Sequence, residues 1–199
     1  MESKKIKEKL FSIAVGEPFT AKKFQGISNN KNVRKLLSRL VDNGEIKRLC
    51  RGVYIRPKFI GNMGEKTPSI QQILKKITKI TGETIVVHPA ESQRILKLSK
   101  QIPLRPIFLT NGTSRTIVVG NSNVQLKHVS PKKLVAANTV QGHVFSALMY
   151  LGKEKITQEQ IKKIQSVIGE DEFNKIYSFL DKVPAWLADI FYYFKYEKS

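Results

Sequence analysis

The 199-residue sequence predicts an α+β chain: an N-terminal helical domain closed by a β-hairpin, then a larger α/β domain with a small, mainly antiparallel sheet and a helical C-terminus. Three observations predict it. Residues 30–43 carry apolar side chains at helical spacing, and residues 45–56 then switch to short strand-like runs around a glycine. β-Branched runs at 84–88, 107–110 and 115–119 alternate with turn-forming pairs. From residue 157 onward the apolar spacing is helical again.

The first domain is expected over residues 1–60. Residues 3–14 read as a helix with Ile6, Leu10, Ile13 and Ala14 inward and Lys4, Lys5, Lys7 and Lys9 in water, ended by Gly16-Glu17-Pro18. Thr20 is expected to cap a short helix over 21–24 through its hydroxyl. Gln25-Gly26-Ile27-Ser28 is the turn, and Ser28 or Asn30 opens a second helix ending at Asn43-Gly44. In it Val33, Leu36, Leu37, Leu40 and Val41 make one apolar stripe, leaving Lys31, Arg34, Lys35, Ser38 and Arg39 wet. Residues 45–50 and 53–56 read as two short strands bent at Arg51-Gly52 and stopped by Pro57. The order is that of a helix-turn-helix closed by a β-wing.

Charge gives this arrangement its expected partner. The chain carries 35 Lys+Arg against 16 Asp+Glu, net +19, which favours a polyanion. Residues 1–60 hold 15 basic and 5 acidic residues, residues 61–150 hold 12 and 3, and residues 151–199 hold 8 of each, so the basic character stops near Leu151. A helix anchored on one face and cationic on the other suits the major groove of DNA, where Asn and Arg read base edges and Lys and Arg displace counterions from phosphates. The candidate DNA-binding residues are Asn30, Lys31, Arg34, Lys35 and Arg39 on the helix and Lys47, Arg48 and Arg51 on the wing. A solvated basic face on a small trihelical domain is the competing reading.

Pro57, Gly61, Asn62, Gly64 and Pro68 mark a linker over 56–68, with the domain boundary near Gly64 and the second domain over 66–199. A helix then runs to Ile80 with Ile70, Ile73, Leu74, Ile77 and Ile80 on its stripe and Gly82 as its stop. Residues 84–88 read as a buried strand, and Pro89 opens a helix to about Leu98. Pro103 and Pro106 bracket a loop. Residues 107–110, 115–119 and 124–129 are expected as a three-stranded antiparallel meander turning at Asn111-Gly112 and at residues 120–123. Helices follow at 130–137 and 141–151, with Val144, Leu148 and Leu151 on one side of the second. Thr157 and Gln160 form a capping box for a helix bearing Ile161, Ile164, Val167 and Ile168, and two helices, 170–183 and 184–196, complete the chain. That last stretch holds nine of the seventeen aromatic residues; Phe191-Tyr192-Tyr193-Phe194 covers every face of a helical turn, so part of it is core and part a candidate partner surface.

The residues give little sign of catalysis. His88, His128 and His143 are scattered, no phosphate loop or serine elbow occurs, and only three acidic residues lie between Gly61 and Tyr150, too few for a two-metal centre. His88 and Glu91 could make a small pair across a strand-to-helix junction, but an ordinary helix-start histidine beside a solvent-facing acid is the better reading. The single Cys50 excludes an intramolecular disulfide and reads as a structural thiol in a wing strand. No run is apolar enough to span a bilayer and no secretory core follows Met1, so a cytoplasmic protein without cofactor, metal or membrane is expected.

Several motifs together carry a family likeness. Residues 48–54 (Arg-Leu-Cys-Arg-Gly-Val-Tyr) resemble the wing of winged-helix regulators of the AbiEi antitoxin group. Residues 96–103 (Leu-Lys-Leu-Ser-Lys-Gln-Ile-Pro), 108–112 (Phe-Leu-Thr-Asn-Gly), 115–117 (Arg-Thr-Ile) with Gly120-Asn121, 147–152 (Ala-Leu-Met-Tyr-Leu-Gly) and 183–186 (Val-Pro-Ala-Trp) resemble that family's second domain. The resemblance implies a non-enzymatic antitoxin of a type IV toxin–antitoxin system. Its winged helix would repress its own promoter at an inverted repeat, and its C-terminal domain would counter a nucleotidyltransferase-like toxin. The wing residues match the family motif, whereas the helix residues match by role, and Cys50 stands where a small or polar residue is expected. A stand-alone winged-helix transcription factor and a basic RNA-binding protein are the alternatives, and the residues leave the oligomeric state open.

Overall fold

The computed structural model describes residues 2–59, 65–66, 68–102 and 104–196. The chain is α+β. It begins with helix α1 (Glu2–Phe11), strand β1 (Pro18–Thr20), a 3-10 turn (Ala21–Phe24), helix α2 (Asn30–Asp42) and strands β2 (Lys47–Cys50) and β3 (Val53–Ile55). The three strands form one sheet in the order β1-β3-β2, with Phe19 and Arg48 both opposite Tyr54. Inside lie Ile6, Leu10, Phe19, Phe24, Val33, Leu37, Leu40 and Ile46, and Phe19 stacks on Tyr54 at 5.9 Å and meets Phe24 edge-on at 6.0 Å. Burying such aliphatic and aromatic side chains is worth about 1.5–3 kcal/mol each, which makes this cluster the anchor of the first helices.

Three local expectations change here. Helix α1 stops at Phe11, and Ala14 is exposed while Ile13 stays buried. The cause is Arg56, whose guanidinium donates to the carbonyls of Phe11 and Ile13 at 2.7 Å each and satisfies the helix end early. Thr20 makes no side-chain cap; its backbone instead pairs with Val53 in β1, a strand the sequence reading did not contain. Helix α2 is capped by Asn29, whose carboxamide oxygen accepts from the Asn32 N–H at 2.9 Å, while the Ser28 hydroxyl donates to the Glu2 carboxylate at 2.5 Å.

Short antiparallel strands β4 (Lys58–Phe59) and β5 (Glu65–Lys66) follow; the expected boundary at Gly64 and Pro103 of the proline-bracketed loop lie outside the described residues. Helix α3 (Ile70–Thr81) starts at a capping box of Ser69 and Gln72 and buries Ile73, Leu74 and Ile77. The order continues with β6 (Ile85–Val87), α4 (Pro89–Ile95), β7 (Ile107–Thr110), β8 (Arg115–Val119), β9 (Ser122–His128), α5 (Val140–Leu151), α6 (Gln158–Ile168), α7 (Glu170–Asn174) and α8 (Ala185–Tyr196).

The second sheet runs β6-β7-β9-β8, so the expected meander is overturned: β9, not β8, neighbours β7. Asn111-Gly112 is not a hairpin turn. The Asn111 carboxamide accepts from the Thr84 N–H at 2.8 Å, and the Gly112 N–H donates to the Thr110 hydroxyl at 2.9 Å, which folds the segment back along β6. Strand β6 pairs with β7 alone and is only half-buried, against the buried strand expected there. The expected helix over 130–137 is a 3-10 turn of Pro131–Lys133, because Ala136 and Asn138 take positive φ and Thr139 then caps α5. The expected helix over 170–183 is α7 followed by a 3-10 segment, Lys175–Lys182. The capping box of Thr157 and Gln160 is present.

Two compact units result: Met1–Glu83 with Arg115–Gln125, and Thr84–Ser114 with Leu126–Ser199. Residues 65–83 therefore belong with the first unit, as does the β8 strand, which lies beside β2. Arg115 at its start pairs with Glu83 at 2.8 Å. The second unit has its own core of Val144, Phe145, Leu148, Ile164, Phe173 and Phe191 with neighbouring aliphatics.

Candidate nucleic-acid interface

The exposed face of α2 and the β2–β3 hairpin come together in the first unit. Helix α2 buries Val33, Leu37 and Leu40 with Leu36 packed beside them, so its polar and charged residues point outward. Asn30, Lys31, Arg34, Lys35 and Arg39 are all exposed, as are Lys47, Arg48 and Arg51. A β-bulge sets which side chains of the hairpin face outward. The register shifts between Arg48 and Cys50, breaking simple alternation, so Lys47 and Arg48 both face out while Leu49 and Cys50 both face in. Gly52, at φ +80°, closes the bend next to Arg51.

A groove of about 690 Å³ lies between α2 and the β2–β3 hairpin. Asn30, Arg34 and Ser38, one helical turn apart from each other, line one wall, and Arg48 and Arg51 line the facing one. Lys22 of the 3-10 turn, Gln25 just after it, and Ile80 and Thr81 at the end of α3 also line the groove. None of its lining residues is acidic. The groove thus unites four of the eight candidate residues. Lys35 and Arg39 instead line a separate hollow of about 170 Å³ against Glu2 and Ile6 of α1, and Lys31 and Lys47 line neither. Lys22 and Gln25 are additions that the sequence reading missed; the Lys22-Lys23 pair just before the turn was the available signal. Arg56 is basic but committed, holding the end of α1 and lying 5.0 Å over the Phe11 ring.

The remaining chemical candidates are accounted for locally. Burial pushes the Cys50 thiol up, partly offset by its hydrogen bond with Arg115, so it is a protonated core thiol. His88 caps α4, its Nδ1 accepting from the Ala90 N–H at 3.3 Å, and its ring meets Tyr150 edge-on at 5.5 Å. Burial and the Lys127 charge push its pKa down. Glu91 turns away to Arg94, in bonds of 2.5 and 2.9 Å that hold its carboxyl below the usual range. The unforeseen partner is His143, whose Nδ1 lies 3.1 Å from the buried Ser92 hydroxyl across 51 residues of sequence. Burial pushes the His143 pKa down, with Glu91 pulling the other way. The hollow beside this pair is about 10 Å³, room for no more than one water. Among the described residues no group of three or more His, Cys, Asp or Glu is placed to hold a metal, and no helix is long and apolar enough to cross a membrane.

Comparison with curated proteins and with solved structures finds no match for the chain. A family profile does match, over residues 5–176, from the first helix to the start of the 3-10 segment that follows α7. With most of its length covered by that profile, the chain belongs to DUF6088, a family of unknown function.

Proposed function

We propose that the first unit is a winged helix-turn-helix that binds double-stranded DNA at the chain's own promoter, and that the protein is an autoregulatory antitoxin of the type IV class. The observation that carries the DNA reading is the acid-free groove between Asn30, Arg34 and Ser38 on α2 and Arg48 and Arg51 on the wing. With α2 in a major groove, one phosphate strand runs between helix and wing. Lys22, Arg48 and Arg51 neutralise its phosphates, and Asn30 and Arg34, on the first half of α2, reach base edges. Lys31, Lys35, Arg39 and Lys47 extend the field around the contact without lining the groove. Antitoxicity rests on the AbiEi-like motifs between residues 48 and 186, and its partner would be a nucleotidyltransferase-like toxin.

The test is a mobility-shift and anisotropy titration on the DNA upstream of the gene, with scrambled duplex and tRNA as competitors. Specific retention is expected. Arg34→Ala and Arg51→Ala should each weaken it about tenfold, the order of 1–3 kcal/mol that a good base or phosphate contact is worth, with the melting temperature unchanged. Three groove cations on phosphates, Lys22, Arg48 and Arg51, give a slope of about −2.7 in log K against log salt. Equal binding of scrambled DNA would remove the promoter assignment. Equal competition by tRNA would favour a basic RNA binder, a reading that the +9 charge of residues 61–150 supports. Rescue of growth when the chain is co-expressed with a nucleotidyltransferase encoded beside it tests the antitoxin half, and a lone gene would favour a stand-alone regulator.

A further inference from the structure

Helix α8 has two apolar faces. Leu187, Ala188, Phe191 and Phe194 form the buried one. Tyr192, Tyr193 and Tyr196 form a second, on the opposite side, and are 47, 61 and 76% exposed. Asp189 stands at the head of that outer stripe, at helical spacing from the three tyrosines. Three neighbouring aromatic side chains this exposed on one helix face mark a surface that suits a partner. Beside the stripe lies a groove of about 300 Å³, walled by Ile156, Ile161, Trp186 and Ile190 and edged by one cation, Lys153, and one anion, Asp189.

We propose that this face is a homodimer interface, covered in solution by a second copy of this chain. Charge selects the occupant. Residues 1–150 carry the whole +19 excess, and two copies approaching through them repel; residues 151–199 balance 8 basic with 8 acidic residues. A partner recruited by the basic surface would be acidic and would meet a groove of one sign. This groove instead carries both signs on its rim. A two-fold axis apposes a patch with itself; in the arrangement proposed, Lys153 of each copy faces Asp189 of the other, and Tyr192 and Tyr196 of one copy enter the groove that Tyr193 of the other helps to line. Tyrosine and tryptophan around a small polar rim are the composition that interfaces favour. The inference is independent of DNA binding, although a two-fold pair of winged helices would match an inverted repeat.

The test is sedimentation velocity of the full-length chain without DNA, from about 1 to about 100 μM, a range that spans ordinary dimer affinities. A concentration-dependent dimer is expected. Tyr196→Glu and Asp189→Lys should each weaken it by about tenfold or more, with unchanged far-UV circular dichroism. The double charge swap Lys153→Glu/Asp189→Lys should restore association, because two copies of the swapped chain again bring opposite charges together across the two-fold axis. A wild-type chain that stays monomeric at the top concentration overturns the proposal. So does a dimer indifferent to both single substitutions, which would place the contact elsewhere, and so does a charge swap that fails to rescue.

Discussion

At the scale of single residues, the most telling departure from the sequence reading is His143. It was one of three scattered histidines, yet it sits against Ser92, whose hydroxyl is buried. Nothing local announces such a pair, because two helices, α4 and α5, have to pack before the residues meet. Its consequence is a pH dependence with a definite sign. Burial holds the imidazole below its ordinary value, so the folded chain prefers it neutral while the unfolded chain takes up a proton near pH 6.5. The contribution to stability is complete above that pH and is lost as pH falls through it toward the lower folded value. His88, also pushed down by burial and by Lys127, adds to the loss in the same window, whereas Glu91, held low by Arg94, keeps its contribution there and loses it only as pH falls through the carboxylate range. His143→Gln keeps a hydrogen-bonding group without the titration. Thermal melts at about pH 7.5 and about pH 5.5, either side of the imidazole range, should show a smaller drop for the variant than for the parent. An equal drop would assign the dependence to other groups.

At the scale of elements, legibility followed the range of the forces involved. Helix α2 was readable because its stripe of Val33, Leu37 and Leu40 is a local period, and the capping box at Thr157 because its two bonds span three residues. Strand β1 was not, since three residues become a strand only when Val53–Ile55 arrives to pair with them. The order β7-β9-β8 was hidden for the same reason; proximity in sequence favoured a meander, and the hydrogen bonds exchanged between Asn111 and Thr84 decided otherwise. Of the candidate interface, the cationic residues were legible, but not their sorting into groove and non-groove faces, which needed the bulge at Arg48 and the position of α3. Two glycines make the distinction measurable. Gly52, in a turn that sequence alone indicated, has open space around a hypothetical Cβ and only its positive φ against it, so Gly52→Ala should cost about 1 kcal/mol. Gly142, inside α5, would place a Cβ 2.1 Å from the Ala136 carbonyl oxygen, a backbone atom held by the Thr139 cap. There the clash outweighs the helix preference for alanine, which is worth about 1 kcal/mol, and a net loss of about 1–3 kcal/mol is expected. Chemical denaturation of both variants checks the ranking; a Gly142→Ala chain as stable as the parent would mean that the loop before α5 yields freely.

At the scale of the whole molecule, one imbalance should produce two opposite responses to salt. The chain has 35 basic and 16 acidic residues, so pairing every acid would still leave 19 cations without an acidic partner. Groove cations such as Arg34, Arg48 and Arg51 are gathered where no acid lines the wall, which suits a polyanion and strains the free protein. Exposed charges interact over about 30 Å at 0.01 M salt but only about 10 Å at 0.1 M. Raising salt across that range should therefore raise the melting temperature of the free chain as self-repulsion is screened. The same change should weaken DNA binding steeply, because counterion release loses its advantage. Melting curves and anisotropy titrations on one salt series measure both. If the melting temperature falls or stays level while DNA affinity drops, the cations are too dispersed to repel one another appreciably, and the groove alone accounts for the salt response. If DNA affinity stays level while the melting temperature rises, the charge acts on folding and the groove does not hold phosphates.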